Sequence, residues 1–201
     1  MLKVYHNNLN IYLKGVSMSN FKKRKFLTEG LEGYIGKNQV CTTRSSWETK
    51  VVNILQHLVK AKKIKGWNSE EAVFEYEKTI DNKRIHRYFM DFMLVKNDDS
   101  VVFIEVKPFK ETFPSYNPNS KKPLTEKQKI AFQSSMSIYL TNDDKWSAVT
   151  KWCDNKNLNS KINFSFQIWT EKMERPAELR YYSMNKSRCN YPVYPVITIK
   201  R

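Results

Sequence analysis

The sequence predicts an α/β fold with the element order α-β-β-β-α-α-β, a mixed central sheet flanked by helices, and irregular N- and C-terminal arms. Three observations carry this expectation. A helical apolar stripe occupies 45–59, three short apolar segments separated by turn residues fill 72–107, and another alternating segment stands at 163–170.

Residues 1–44 show no sustained apolar period. They carry Lys22, Lys23, Arg24 and Lys25, then Gly30, Gly33 and Gly36, which predicts a basic, extended arm. Met18 is an alternative start within it. A helix is predicted from Ser45, because Trp47, Val51, Leu55, Leu58 and Val59 recur at helical spacing. Ser45 suits an N-cap, and Glu48 three residues later completes a capping-box pattern. The stretch KAKKIKGW (60–67) reads as the helix end. Its lysines fit a solvated face, with DNA contact as the second reading.

Three strands are predicted next, at 72–78, 86–95 and 101–107, with Val73 alternating with Glu75 and Glu77 in the first. Asp81-Asn82-Lys83 and Asn97-Asp98-Asp99-Ser100 supply the turns between them. Pro108, Pro114, Pro118 and Pro123 predict a loop. Thr125 opens a helix through about Tyr139, and Asn142 or Asp143 caps a second one carrying Trp146, Val149 and Cys153. Phe164, Phe166 and Ile168 mark the last strand of the core, and VITIK near the C-terminus is β-like. This divides the chain into an arm at 1–44, a domain at 45–173 and an extension at 174–201.

Lys and Arg outnumber Asp and Glu by 35 to 20, a formal charge of +15. An excess of that size repels itself in a compact fold and suits a polyanionic partner, nucleic acid first among them. A hydrophobic content of 40% fits a folded domain and argues against a disordered chain. No apolar run approaches the roughly 18 residues of a membrane helix, and MLKVYHNNLNIYLKG lacks the apolar segment of a signal peptide. Cys41, Cys153 and Cys189 are odd in number and widely spaced, as expected of reduced thiols rather than a disulfide framework or zinc site. Trp67, Trp146, Trp152 and Trp169 read as core residues rather than platforms for bases.

The chemistry concentrates in RYFMDFMLVKNDDSVVFIEVK (87–107). Glu105 and Lys107 lie two apart and share one face of a strand, and a turn near Asp98 brings Asp91 beside Glu105. Two neighbouring carboxylates repel unless a positive charge lies between them, and a hard cation such as Mg²⁺ (or Mn²⁺) suits them. Lys107 could then order a water or stabilise charge on a phosphate. Asp followed by Glu-x-Lys is the PD-(D/E)xK nuclease pattern, with Met90 where proline commonly stands. The alternative is a Glu105–Lys107 pair on a solvated edge. Glu48 is a candidate third carboxylate, or simply the partner of Ser45 in the cap. His86 and Arg87 precede Asp91 and are candidate phosphate contacts, as are Arg44 and Lys110; a surface role is the alternative for His86.

YIGKNQVCTTRSSWE (34–48), WNSEEAVFEY (67–76), DNKRIHRYFMDF (81–92) and FIEVKPFKET (103–112) together resemble the head completion nucleases of T4-like tailed bacteriophages. KWSAVTKWCDNKNLNSKINFSFQIWTEK (145–172) resembles the closing helix and strand of that family, and the nuclease subunit of Tn7-like transposases is a more distant likeness. The resemblance implies a restriction-endonuclease-like fold and a metal-dependent DNA endonuclease that trims or secures the packaged end before the tail joins. Glu48, Asp91, Glu105 and Lys107 match its catalytic positions, with Glu48, Asp91 and Glu105 toward the metal. Glu70 and Glu71 match an acidic pair without an assigned role. The expected partners are double-stranded DNA, portal, neck or head proteins, and a second copy of the chain, with no membrane. The expected location is the neck vertex of the virion, after assembly in the host cytoplasm. The competing expectation is a DNA-binding neck or connector protein without catalysis; a third is a repair or recombination nuclease.

Overall fold

The computed structural model describes residues 23–112 and 124–170. Residues 1–22 with Lys22 of the basic run, most of the proline loop and the C-terminal extension with VITIK lie outside the described residues. Strands β1 (Arg24–Leu27) and β2 (Val40–Thr43) precede helix α1 (Ser46–Lys60). Strands β3 (Ile64–Ser69), β4 (Val73–Lys78), β5 (Arg84–Phe89), β6 (Phe92–Lys96) and β7 (Val101–Val106) follow, and then helix α2 (Glu126–Asn159) and strand β8 (Phe164–Trp169).

The central sheet has the order β3-β6-β7-β8, antiparallel except for the parallel pair β7–β8. A parallel pair needs a long crossover, and α2 is that crossover. Every residue of β7 is buried, as expected of a strand covered on both faces. Val102, Ile104 and Val106 pack with Val51, Val52 and Leu55 of α1. Val101 and Phe103 pack on the opposite side with Trp146, Val149 and Cys153 of α2. The period-2 alternation of β7 therefore assigns Glu105 to the α2 side of the sheet.

Four expectations are corrected by this arrangement. Residues 24–44 are not an extended arm. Strands β1 and β2 pair with Arg24 opposite Thr43, Cys41 is buried, and Phe26, Leu31 and Tyr34 pack against the α1 core. Strands this short leave no long period to read. The stretch 64–67 is not the tail of a helix but opens β3, whose Trp67 is fully buried. Its alternating lysines and glycine look like a helix end, although α1 stops at Lys60 and Lys62 turns the chain with a φ of 53°.

The segment 86–95 is two strands. Beyond Phe89 the chain bends at Met90 and Asp91, opposite a bend at Glu70, which has a φ of 57°. Ser69 pairs with Phe92 before the bend and Val73 with Phe89 beyond it, so the register slips by one residue there. The Glu70 amide donates across this gap to the Met90 carbonyl at 3.1 Å. In β4 it is Phe74 and Tyr76 that face the core, with Val73, Glu75 and Glu77 outward. Finally, the two predicted helices at 125–153 are one. The stretch 126–159 lacks Gly and Pro, and Tyr139, Asn142, Trp146, Val149 and Cys153 form one continuous buried stripe across the expected cap.

Trp67 ties the N-terminal segment to this frame. Its amide donates to the Gly33 carbonyl at 3.0 Å, its carbonyl accepts from Ile35 at 2.9 Å, and its indole donates to Glu32 at 3.0 Å. The segment 33–35 thereby covers the outer edge of β3, which would otherwise be an open sheet edge. Gly33 permits this approach, because its φ is +70° and any Cβ there would strike Val59. Trp67→Ala should cost about 3–5 kcal/mol in denaturant unfolding, and the Ile35 amide should exchange faster with deuterium. An Ile35 amide that stays protected would remove Trp67 as the anchor.

Candidate active site

The bend that ends β5 is what exposes the Asp91 side chain to chemistry. The last ladder pair of β6 and β7 is Phe92 with Ile104, so Asp91 falls opposite Glu105 at the end of the sheet. There the Asp91 Oδ2 accepts the Val106 amide at 2.8 Å, continuing the ladder by a side-chain bond. Glu105 is 2% exposed. Its Oε1 lies 3.2 Å from the Lys107 ammonium, and its Oε2 accepts the Tyr88 hydroxyl at 2.5 Å.

These contacts set two neighbouring carboxyl groups at the end of the sheet, Glu105 buried and Asp91 partly so, with Lys107 beside Glu105. Burial, and then the Glu105 charge, push the Asp91 carboxyl well above the usual carboxylate range. Burial and the same Glu105 charge also push the Tyr88 phenol well up, so Tyr88 stays a donor. For Lys107 burial works downward, but Glu105 and Asp91 outweigh it and the ammonium ends above its ordinary value.

Glu48 approaches from α1. Ser45 accepts the Glu48 amide at 3.1 Å, and the Glu48 carboxylate receives the Ser45 hydroxyl and the Arg44 amide, each at 2.8 Å. This is a cap in which the returning backbone amide is that of Arg44, before the N-cap, rather than that of Ser45. Glu48 is near enough to contribute to the upward push on Asp91. Asp91, Glu105 and Lys107 therefore stand together at the end of the sheet, with Glu48 close enough to be felt by Asp91.

The candidate DNA contacts are dispersed. Arg44 forms an ion pair with Glu70. His86 lies 2.8 Å from Asp81, Arg87 stands opposite Glu75 on β5, and Lys110 is exposed on the short turn after Lys107. Glu71, of the unassigned acidic pair, accepts the Tyr34 hydroxyl at 3.0 Å and the Asn38 amide at 2.8 Å, which is a structural duty. Two residues at the site were missed from sequence. Tyr88 could have been suspected, since it lies three residues before Asp91 in an apolar strand. Lys145 of α2 gave no local signal.

Among the described residues no cluster of three or more His, Cys, Asp or Glu side chains is arranged to hold a metal ion, and Glu48 is turned into its cap. The Asp91–Glu105 pair nonetheless fits Mg²⁺, which is commonly bound through one or two carboxylates plus water and substrate phosphate. Two adjacent acids that repel each other are the donor set such a cation relieves.

Residues 61–171 match the family model described as TnsA-like endonuclease N terminal. The head completion nuclease of Enterobacteria phage T4 is 33% identical over 147 residues, which cover 73% of this chain and 89% of that protein. No solved structure matches the chain significantly. The matched region begins at the end of α1 and contains the whole central sheet, α2, Asp91, Glu105 and Lys107. With its restriction-endonuclease-like core, the chain belongs to the TnsA-like endonuclease family.

Proposed function

We propose that this protein is a metal-dependent DNA endonuclease of phage head completion, trimming or securing the packaged DNA end before the tail attaches. The observation that carries the reading is Asp91 opposite the buried Glu105, with Lys107 3.2 Å from Glu105, at the end of the central sheet. The similarity to a nuclease named for head completion supports the setting. The charge of +15 supports a polyanionic substrate.

Asp91 and Glu105 are the residues that would hold Mg²⁺ or Mn²⁺, with Glu48 nearby. A divalent cation there supplies Lewis-acid charge to the phosphoryl oxygen and to an attacking water. The rest is the work of this chain's own groups. Tyr88 fixes Glu105 by its outer oxygen, and the Val106 amide fixes Asp91. Lys107 positions the water or steadies the charge that grows on the phosphate. In this reading portal or neck proteins are the assembly partners, and the virion neck is the place of action.

Cleavage of linear and plasmid DNA with Mg²⁺ tests the assignment. Asp91→Ala and Lys107→Ala should each lower the rate at least about a hundredfold; rates equal to wild type would sink these roles and favour a DNA-binding neck protein. Glu48→Gln keeps an acceptor for the cap, so its melting temperature should stay close to wild type while cleavage falls by about tenfold or more.

A readout without catalysis comes from stability. The raised Asp91 carboxyl means that the folded state holds this proton more tightly than the unfolded chain. Its contribution to stability is complete below the usual carboxylate range and is lost as the pH climbs through the raised value. Metal-free Asp91→Asn should therefore melt higher than wild type at neutral pH, by about 2–4 °C for a gain of about 1 kcal/mol. Mg²⁺ should raise the melting temperature of wild type and leave that of Asp91→Asn unchanged. Equal Mg²⁺ shifts in both proteins would remove Asp91 as a ligand.

A further inference from the structure

Helix α2 covers the face of the sheet on which Glu105 lies, and one of its lysines faces the same space. The helix turn carrying Lys145 is fixed by its neighbour Asp144, which accepts the Thr79 amide at 2.7 Å and the Thr79 hydroxyl at 2.8 Å. From there the Lys145 ammonium reaches between two tyrosines, 5.2 Å from the Tyr88 ring centre and 5.9 Å from that of Tyr76. Tyr88 is the residue that holds Glu105.

Lys145 is half-buried and, among the described residues, has no ion-pair or hydrogen-bond partner. A desolvated ammonium is costly without an anion, and two ring faces offset only part of that. Burial lowers its pKa; Glu105 and Asp91 act against this, and Lys107 and Lys78 act with it. Through Tyr88, Lys145 stands on the same side of the sheet as Glu105 and its partner Lys107, where the carboxylates suit a cation and the two lysines suit an anion. A phosphodiester brings that anion.

We propose that Lys145 is a DNA-contacting residue, taking a non-bridging phosphate oxygen beside the phosphodiester that faces Glu105 and Lys107, so that α2 forms one wall of the DNA groove. The inference rests on the nuclease reading for its substrate class, and the experiment separates the two.

DNA binding is measured by titration over a range of salt in an Asp91→Asn background, which removes a carboxylate required for cleavage. Adding Lys145→Met should reduce the slope of log affinity against log salt by about 1 and weaken binding about eightfold at 0.1 M salt. Lys145→Arg should retain the parental slope. Should the Met variant melt below the assay temperature, Lys145→Gln serves in its place. An unchanged slope overturns the proposal even if the melting temperature falls, since a lysine that only packs on Tyr76 and Tyr88 affects folding and not counterion release. Cleavage by wild type together with an unchanged slope rejects the Lys145 contact alone. A reduced slope with no cleavage by wild type rejects the nuclease reading and leaves the contact in place.

Discussion

The Asp91 carboxylate takes the Val106 amide as though it were the next carbonyl of the ladder. This bond can form only because the ribbon of β3–β4 and β5–β6 bends one residue earlier, leaving Asp91 outside both ladders. Without the bend Asp91 would continue a flat strand, and its side chain would have no reason to reach the end of β7. With it, two acids that burial and mutual repulsion disfavour are held side by side. The neighbouring groups follow from that constraint. Tyr88 and Lys107 each take one oxygen of Glu105, and Lys145 closes the face from α2.

The layers have different duties. The α1 side is held by aliphatic packing around Trp67 and carries Glu48 at the start of the helix. The α2 side is rich in aromatic groups, with Phe103 edge-on to Phe74 and Trp152. It ends in the polar row of Tyr76, Tyr88 and Glu105. The Tyr88 ring belongs to the apolar layer while its hydroxyl bonds Glu105, so one side chain joins the core to the charged site.

Much of this was legible in the sequence, for reasons tied to particular residues. Ser45 and the spacing of Val51 and Leu55 announced α1, and the run from Val101 to Val106 announced the central strand. Asp91, Glu105 and Lys107 were readable because charges stand out in apolar strands. The bend was not, since 86–95 reads as one strand and a one-residue slip leaves no compositional mark. Strand β3 was hidden by Lys63, Lys65 and Gly66, which resemble a helix end. The unity of α2 was masked by Asn142, a residue fit for a cap that is instead buried in mid-helix. Lys145 was one lysine among many, and only the packing of α2 on β4 distinguishes it.

The parallel pairing of β7 with β8 has a consequence for the order in which the protein assembles. Val101 meets Phe164 only after the proline loop and the whole of α2 have been made. Closing so long a loop is slow compared with forming the antiparallel ribbon, whose partners are close in sequence. A chain emerging from the ribosome therefore builds β4–β5 and β6–β7 early, while Glu105 still lacks its neighbour strand and the cover of α2. Glu105 gains its neighbour Ile168 only when the last strand docks, so synthesis must reach β8 before the site takes its finished form.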